Sequence, residues 1–248
     1  MTLGSSNYRF SADYPGEVRR LMRERHGMAA HFYQGACGDI NPSACSWDEP
    51  RDSADGTREL QRLGRTMADR LDAILEGIES LPSSRLHCME MLVAVPTAEL
   101  SRDFLRAVLR DSGSAAARGA SGGGAKMAAL RIHWAAGLLE QLERGRYPKR
   151  VEVPVHMVRI GEAVFVGIAA ELFSQVGLGV KEGLGRARTF VCAYANGCVG
   201  YIASERSYDC SEYGADTSAA LYGIPLLAKE AGTVLAAVIV KAAAAGFR

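Results

Sequence analysis

A mixed sheet flanked by helices, α/β or α+β in class, is what this sequence predicts. Long stretches carry apolar residues at spacings of three and four, the mark of amphipathic helices. Between them lie shorter β-rich runs, and no internal repeat with a period of about 20–50 residues organises the chain. The 248 residues suffice for a substantial core without disulfides. Hydrophobic residues make up 48% and charged residues 23%, an ordinary globular composition that excludes disordered, collagen-like and coiled-coil classes. Lys and Arg (29) nearly cancel Asp and Glu (28), so no global field draws in nucleic acid or anionic lipid. Nucleic acid is therefore not an expected partner.

In chain order, Ser11 or Asp13 can cap a helix that has Pro15 in its first turn and stops at Gly27. Residues 28–33 form a short apolar run suited to a buried strand, which empties into a Gly-rich loop over 34–42. Leu60, Leu63, Met67, Leu71, Ile74, Leu75 and Ile78 mark a long helix over about 53–77. Residues 86–95 read as a strand ended by Pro96, and 100–109 as a short helix. The stretch 112–124 is Gly, Ser and Ala apart from Arg118, and is expected to be a flexible surface insertion. Helix follows over 126–142. Strands over 151–160 and 163–168 flank Gly161-Glu162 as a hairpin. A helix over 172–183, a strand over 189–195 and a terminal helix over 221–245 complete the reading. The uncharged run 231–240, closed by Lys241, is shorter than the roughly 20 residues of a membrane span. The first residues lack the basic and apolar regions of a signal peptide. The six cysteines show no Cys-x-x-Cys spacing, so a reducing compartment is the default expectation, cytoplasmic by default since any signal peptide would precede this sequence.

Three places could hold chemistry. The loop after residue 33 exposes backbone N–H groups and presents Asp39 and Asn41. A structural turn, with both side chains bonding local backbone, is the commoner use of such residues. Cys37 in the same loop has no neighbour that would make it a thiolate, so it reads as a small packed residue. Glu171 directly follows a buried apolar strand and is either a helix N-terminal charge or a functional carboxylate. Finally, Tyr194, Tyr201, Tyr208, Tyr213 and Tyr222 crowd the C-terminal region, where tyrosines can line a wet pocket or simply pack. The five histidines show no His-x-His or His-x-x-x-His spacing, so no self-contained histidine metal motif is present.

The order of these segments resembles the catalytic region of the neutral/alkaline (non-lysosomal) ceramidases. The carriers are Ser11-Ala12-Asp13-Tyr14-Pro15-Gly16, the loop Gln34-Gly35-Ala36-Cys37-Gly38-Asp39-Ile40-Asn41-Pro42, then Glu171-Leu172-Phe173, Asn196 to Ile202 and Tyr208 to Tyr222. The resemblance runs through nearly the whole chain apart from 112–124. It implies a zinc-dependent amidase that splits an N-acyl sphingoid or related N-acyl lipid. It assigns zinc ligation to Glu171 and Tyr201, catalytic roles to Asp39 and Asn41, and substrate contacts to Gly38, Asn196 and Tyr208.

Two departures from the family pattern stand out. Asn41 occupies a place where ceramidases proper carry serine, and an amide is a poor nucleophile or proton relay. The family's two zinc-binding histidines belong to motifs of an N-terminal half that is not in this sequence. Two ligands cannot close a catalytic zinc site, so the expectation for residues 1–248 alone is weak zinc binding and little turnover. Half of an α/β domain is also expected to expose a sheet edge and an apolar sheet face, with self-association as the consequence. The competing reading, from another class, is a non-catalytic binding protein that keeps the scaffold without the metal.

Overall fold

The computed structural model describes residues 2–3, 7–42, 53–80, 85–117, 123–185 and 188–246. The chain divides into two compact units, Met1–Tyr33 with Ile40–Pro82 and Gln34–Asp39 with Ser83–Arg248.

The first unit is a pair of packed helices, α1 (Asp13–His26) and α2 (Ser53–Leu75). Ser11 accepts the Asp13 N–H at 3.0 Å before the first turn, and Gly27, at φ 65°, ends α1. Val18, Leu21 and Met22 meet Ala68 in a small core. The helices approach closely at Gly64, where a Cβ would lie 2.4 Å from the Glu17 side chain. Arg25 reaches Asp69 and Asp72 at 2.8 and 2.5 Å, and His26 reaches Asp72 at 2.7 Å. Met67 and Ile74 stay exposed, because the apolar stripe of α2 is wider than the core it meets.

Residues 28–33, expected to be a strand, are not one. No described strand of this unit is there to pair with them. The run folds back on the helices instead: Ala30 packs against the small core and Phe32 meets Tyr14 edge-on at 6.0 Å.

The second unit is a mixed α/β layer structure. It begins with β1 (Leu86–Pro96), followed by α3 (Arg102–Ala117) and α4 (Gly123–Glu143). Of the expected insertion at 112–124, residues 112–117 end α3 and 123–124 begin α4, while 118–122 lie outside the described residues. Alanine is the best helix former, Ser112 is buried, and the two helices share a core of Leu105, Val108, Trp134, Ala135 and Leu138. Then come β2 (Arg150–Ile160) and β3 (Ala163–Ile168), joined by the expected hairpin with Gly161 at φ 58°. The chain continues through β4 (Glu171–Leu172), α5 (Ser174–Leu184), β5 (Thr189–Cys192) and β6 (Tyr201–Ile202). It ends with α6 (Glu205–Asp209), α7 (Ala219–Tyr222) and α8 (Ala231–Gly246).

The expected single helix over 221–245 is therefore two. Gly223, at φ 64°, stops α7, and Pro225 cannot continue a helix. The intervening chain runs beside the end of β1, with the Ala98 N–H on Leu226 O at 2.7 Å and the Ala228 N–H on Pro96 O at 3.0 Å.

The main sheet has the order β1-β2-β3-β5, antiparallel except for the parallel β3–β5 pair. Alternation sorts its side chains. Val93, Val95, Val153, Val155, Met157, Val166, Ile168 and Val191 share a core with Val176 and Val180 of α5 and Leu235 and Ile239 of α8. α5 and α8 close on each other at Gly232, where a Cβ would come within 2.7 Å of Val176. On the opposite face Leu86, Leu92, Ile160 and Phe190 are exposed, and Phe165 stacks on Phe190 at 4.9 Å. β1 lies at one edge of the sheet. Among the described residues no helix is long and apolar enough to cross a membrane.

Leu235 is fully buried between α8 and the sheet, whereas Val238 on the same helix is 38% exposed. Leu235→Ala is expected to lower the unfolding free energy by about 2–5 kcal/mol. Val238→Ala should change it by about 0.5 kcal/mol or less. Urea midpoints of the two variants, compared at unchanged slope, check this.

Candidate functional site

Beyond its paired region, the main sheet hands the chain to a second, smaller ladder. After β3, Ala170 accepts the Tyr194 N–H and Ile168 accepts the Ala195 N–H, both at 3.1 Å. Tyr194 and Asn196 turn the chain with φ of 54° and 59°, and Gly197 follows at 146°. The Val199 N–H then bonds Ala169 O at 2.8 Å. These contacts align the segment after β3 with the segment after β5 as a parallel pair, β4 with β6. The Glu171 N–H reaches Gly200 O at 2.9 Å, and the Phe173 N–H reaches Ile202 O at 3.1 Å. Glu171 and Tyr201 are direct partners in this ladder, while the following pair, Leu172 and Ile202, is fully buried. Paired residues of a ladder project to one face, so Glu171 and Tyr201 share a side.

Aromatic rings surround the pair. Tyr201 makes edge-on contacts with Phe173 at 6.0 Å, Tyr213 at 5.8 Å and Tyr222 at 6.1 Å. Two glycines admit this crowding. A Cβ on Gly214 would stand 2.6 Å from the Phe173 ring, and one on Gly200, whose φ is 110°, would stand 3.0 Å from the Tyr222 ring. The Tyr222 hydroxyl donates to Glu171 Oε1 at 2.7 Å. Burial, and then the hydrogen bond and charge of Glu171, push the Tyr201 and Tyr222 phenols well above their ordinary range. Tyr213 moves the same way, from burial and then the charge of Glu171. The site is one carboxylate set among neutral phenols.

Cys37 lies next to this group, with its thiol 3.9 Å from the Tyr194 hydroxyl. Burial pushes the thiol up, opposed by the Tyr194 hydrogen bond and reinforced by the charges of Glu171 and Asp39. A thiol held protonated is a poor nucleophile, which agrees with the packed reading of Cys37.

The loop residues divide. The Gly38 N–H donates to Leu172 O at 2.8 Å, and a Cβ there would meet the Phe173 ring at 2.8 Å, so Gly38 seats the loop on β4. Asp39 accepts both the Ser174 N–H at 2.6 Å and the Ser174 hydroxyl at 2.7 Å. It thereby caps α5, whose own N-cap, Phe173, offers no side-chain bond. Its carboxylate is engaged in structure. Asn41 is exposed and belongs to the first unit. Asn196 is exposed in the tight turn after β5. Tyr208 packs on the main core, and burial with the charge of Glu230 pushes its phenol to about 12. The geometry therefore groups Glu171, Tyr201 and Gly38 and adds Phe173, Tyr213 and Tyr222. Tyrosine density flagged this region in the sequence; the Tyr222 contact, across 51 residues, left no local signal.

A carboxylate and a phenol on neighbouring strands are hard oxygen donors suited to a divalent cation. They are only two. Among the described residues no group of three or more His, Cys, Asp and Glu could hold a metal ion. His156 is set against Glu90 at 3.2 Å on β1 and β2, His87 is also on β1, and His133 is on α4. Two donors cannot by themselves enclose a zinc ion.

No family model and no curated protein matches this sequence. The fold is similar to that of a solved structure, the neutral ceramidase from Pseudomonas aeruginosa, with a TM-score of 0.56 and 16% identity. The match covers 96% of this chain and 41% of that one, so the chain spans about two fifths of the length of its structural neighbour. At this identity the likeness concerns the fold: a ceramidase-like mixed sheet with flanking helices.

The raised phenols fix a sign for alkaline stability. A phenol whose folded pKa exceeds the unfolded value of about 10 contributes stability that is complete below that pH. It is lost as pH rises toward the folded value, about 12 for Tyr208. Urea midpoints are expected to fall as pH rises above about 10, and less steeply in Tyr208→Phe. A second expectation concerns Asp39→Ala, which removes the cap of α5. It should cost about 0.5–2 kcal/mol in denaturant unfolding, with Ser174→Ala adding little once the carboxylate is gone.

Proposed function

We propose that this chain carries the carboxylate–phenol part of a zinc-dependent amide-hydrolase site acting on N-acyl lipids or related linear amides. The observation that carries the reading is the pairing of Glu171 with Tyr201 across the β4–β6 ladder, within a fold similar to a neutral ceramidase. Glu171 and Tyr201 would hold the metal, together with donors from outside the described residues. Bound zinc polarises an amide carbonyl and brings the pKa of a coordinated water near 7. The chain's own residues supply the surroundings. Phe173, Tyr201, Tyr213 and Tyr222 offer apolar ring surface for an acyl or alkyl chain. Neutral phenols can donate hydrogen bonds to an amide oxygen without competing as anions for the cation. Gly38 and Asp39 hold β4 and the start of α5 in place, so their part is to fix the position of Glu171 and Phe173.

The test is release of fatty acid from a panel of N-acyl amides by the purified chain, with added zinc and with a chelator. Slow, zinc-dependent release is expected. It should fall by about 100-fold or more in Glu171→Gln, which removes the ligand's charge, and in Tyr201→Phe, which removes the phenolic oxygen, each keeping shape. Hydrolysis that persists in the chelator, or zinc-dependent hydrolysis that both variants retain, would contradict the assignment.

A further inference from the structure

We infer that the free edge of β1, residues 86–94, is a docking surface for the same edge of a second copy of this chain, antiparallel, with Leu86 opposite the other copy's Leu92. The contact involves no metal. In an antiparallel ladder the backbone groups of successive residues face alternate sides. Both ends of β1 show which residues face β2: the Gly161 N–H bonds Arg85 O at 2.9 Å, and the Thr97 N–H bonds Lys149 O at 3.1 Å. Odd-numbered residues thus point at β2. Pro154 agrees, since it is the register partner of Leu92 and turns its carbonyl the other way, to the Ala169 N–H at 3.0 Å. Even-numbered residues of β1 point away from the sheet. Pro96 O and the Ala98 N–H are taken up by Ala228 and Leu226, which close that end of the edge. Leu86, Cys88, Glu90, Leu92 and Ala94 have no backbone partner on this side among the described residues.

This edge lacks the features that keep strands from pairing with other chains. Its register with β2 is continuous from Leu86 to Pro96, so no bulge twists it away. No lysine or proline precedes Pro96 in the strand, and the one acid, Glu90, is set against His156 at 3.2 Å. Leu86 and Leu92 are 63% and 62% exposed on the face away from the core, while Met89 and Met91 pack against it. A long, regular, apolar edge of this kind is a template for another strand. The order of its side chains suits its own copy. A two-fold axis at Met89 sets Leu86 against the other copy's Leu92 and Cys88 against its Glu90, and symmetry makes each contact twice. Directly opposed side chains stabilise a sheet, and like charges in that position destabilise it. An axis at Glu90 would oppose the two Glu90 carboxylates, and one at Cys88 would set Glu90 against Leu86. Only the axis at Met89 matches leucine with leucine and keeps the acids apart. The result joins two four-stranded sheets into one.

The experiment is sedimentation of the full chain over a concentration series, with amide exchange read residue by residue by NMR. A reductant is present throughout, since Cys88 is an exposed free thiol. A monomer–dimer equilibrium is expected. The amides of Cys88, Glu90 and Leu92 should become protected as the dimer fills, whereas those of Met89, Met91 and Val93, which face β2, exchange slowly at every concentration. Leu92→Lys is expected to raise the dimer dissociation constant about 10–100-fold, because symmetry places the charge on both sides. Adding Leu86→Glu to that variant should recover about tenfold, since the two positions are opposed. Leu130→Lys, at a 39% exposed position of α4, should leave the dimer unchanged. A chain that stays monomeric would overturn the inference, and so would a dimer in which the Cys88, Glu90 and Leu92 amides exchange freely. An unchanged dissociation constant in Leu92→Lys, or an equal loss in Leu130→Lys, would overturn it as well. No recovery in the double variant would overturn the pairing of Leu86 with Leu92.

Discussion

Everything at the candidate site hangs on a parallel ladder two residues long, Glu171–Leu172 against Tyr201–Ile202. The ladder exists because two neighbouring strands of the main sheet, β3 and β5, keep their parallel relation after their own pairing ends. Its second pair, Leu172 and Ile202, is sealed in the core, which holds the first pair at the boundary between core and surface. A one-residue slip would bury Glu171 and Tyr201 and expose the two aliphatic side chains, so the register is strongly determined. The position of the carboxylate is thereby set by burial of its apolar neighbours.

The electrostatic character of the site follows from that placement. Glu171 stands where burial is partial, and its near partners are phenols. Phenols close to a carboxylate in a partly buried setting resist ionisation, so these tyrosines stay neutral. The other acid of the region, Asp39, is satisfied by Ser174 instead. Two acids that look alike in sequence are separated by what surrounds them.

The strands of the main sheet were legible because alternation and a Gly turn at 161–162 leave few other solutions. The motif order from Glu171 to Tyr201 also pointed to residues that the fold does bring together. What could not be read depends on contacts distant in sequence. Residues 28–33 carry a strand composition but find a helix pair to cover instead of a strand to join. The 221–245 stretch looks continuous until its middle pairs with residues 96–98. The Gly/Ser/Ala stretch at 112–124 reads as loose in isolation, yet Ser112 is buried and the flanking helices pack on one another. Tyr222 is one tyrosine among several until α7 and Gly200 aim its hydroxyl at Glu171.

The central claim, that Glu171 and Tyr201 act together as oxygen donors to one cation, is most directly tested by X-ray absorption at the zinc edge of the loaded chain. The account predicts a first shell of oxygen at about 2.0–2.2 Å that loses a scatterer in Tyr201→Phe. The nearby thiols of Cys37 and Cys198 provide the contrast. A sulfur scatterer at about 2.3 Å, unaltered by Tyr201→Phe, would show that thiolates hold the metal and would contradict the claim.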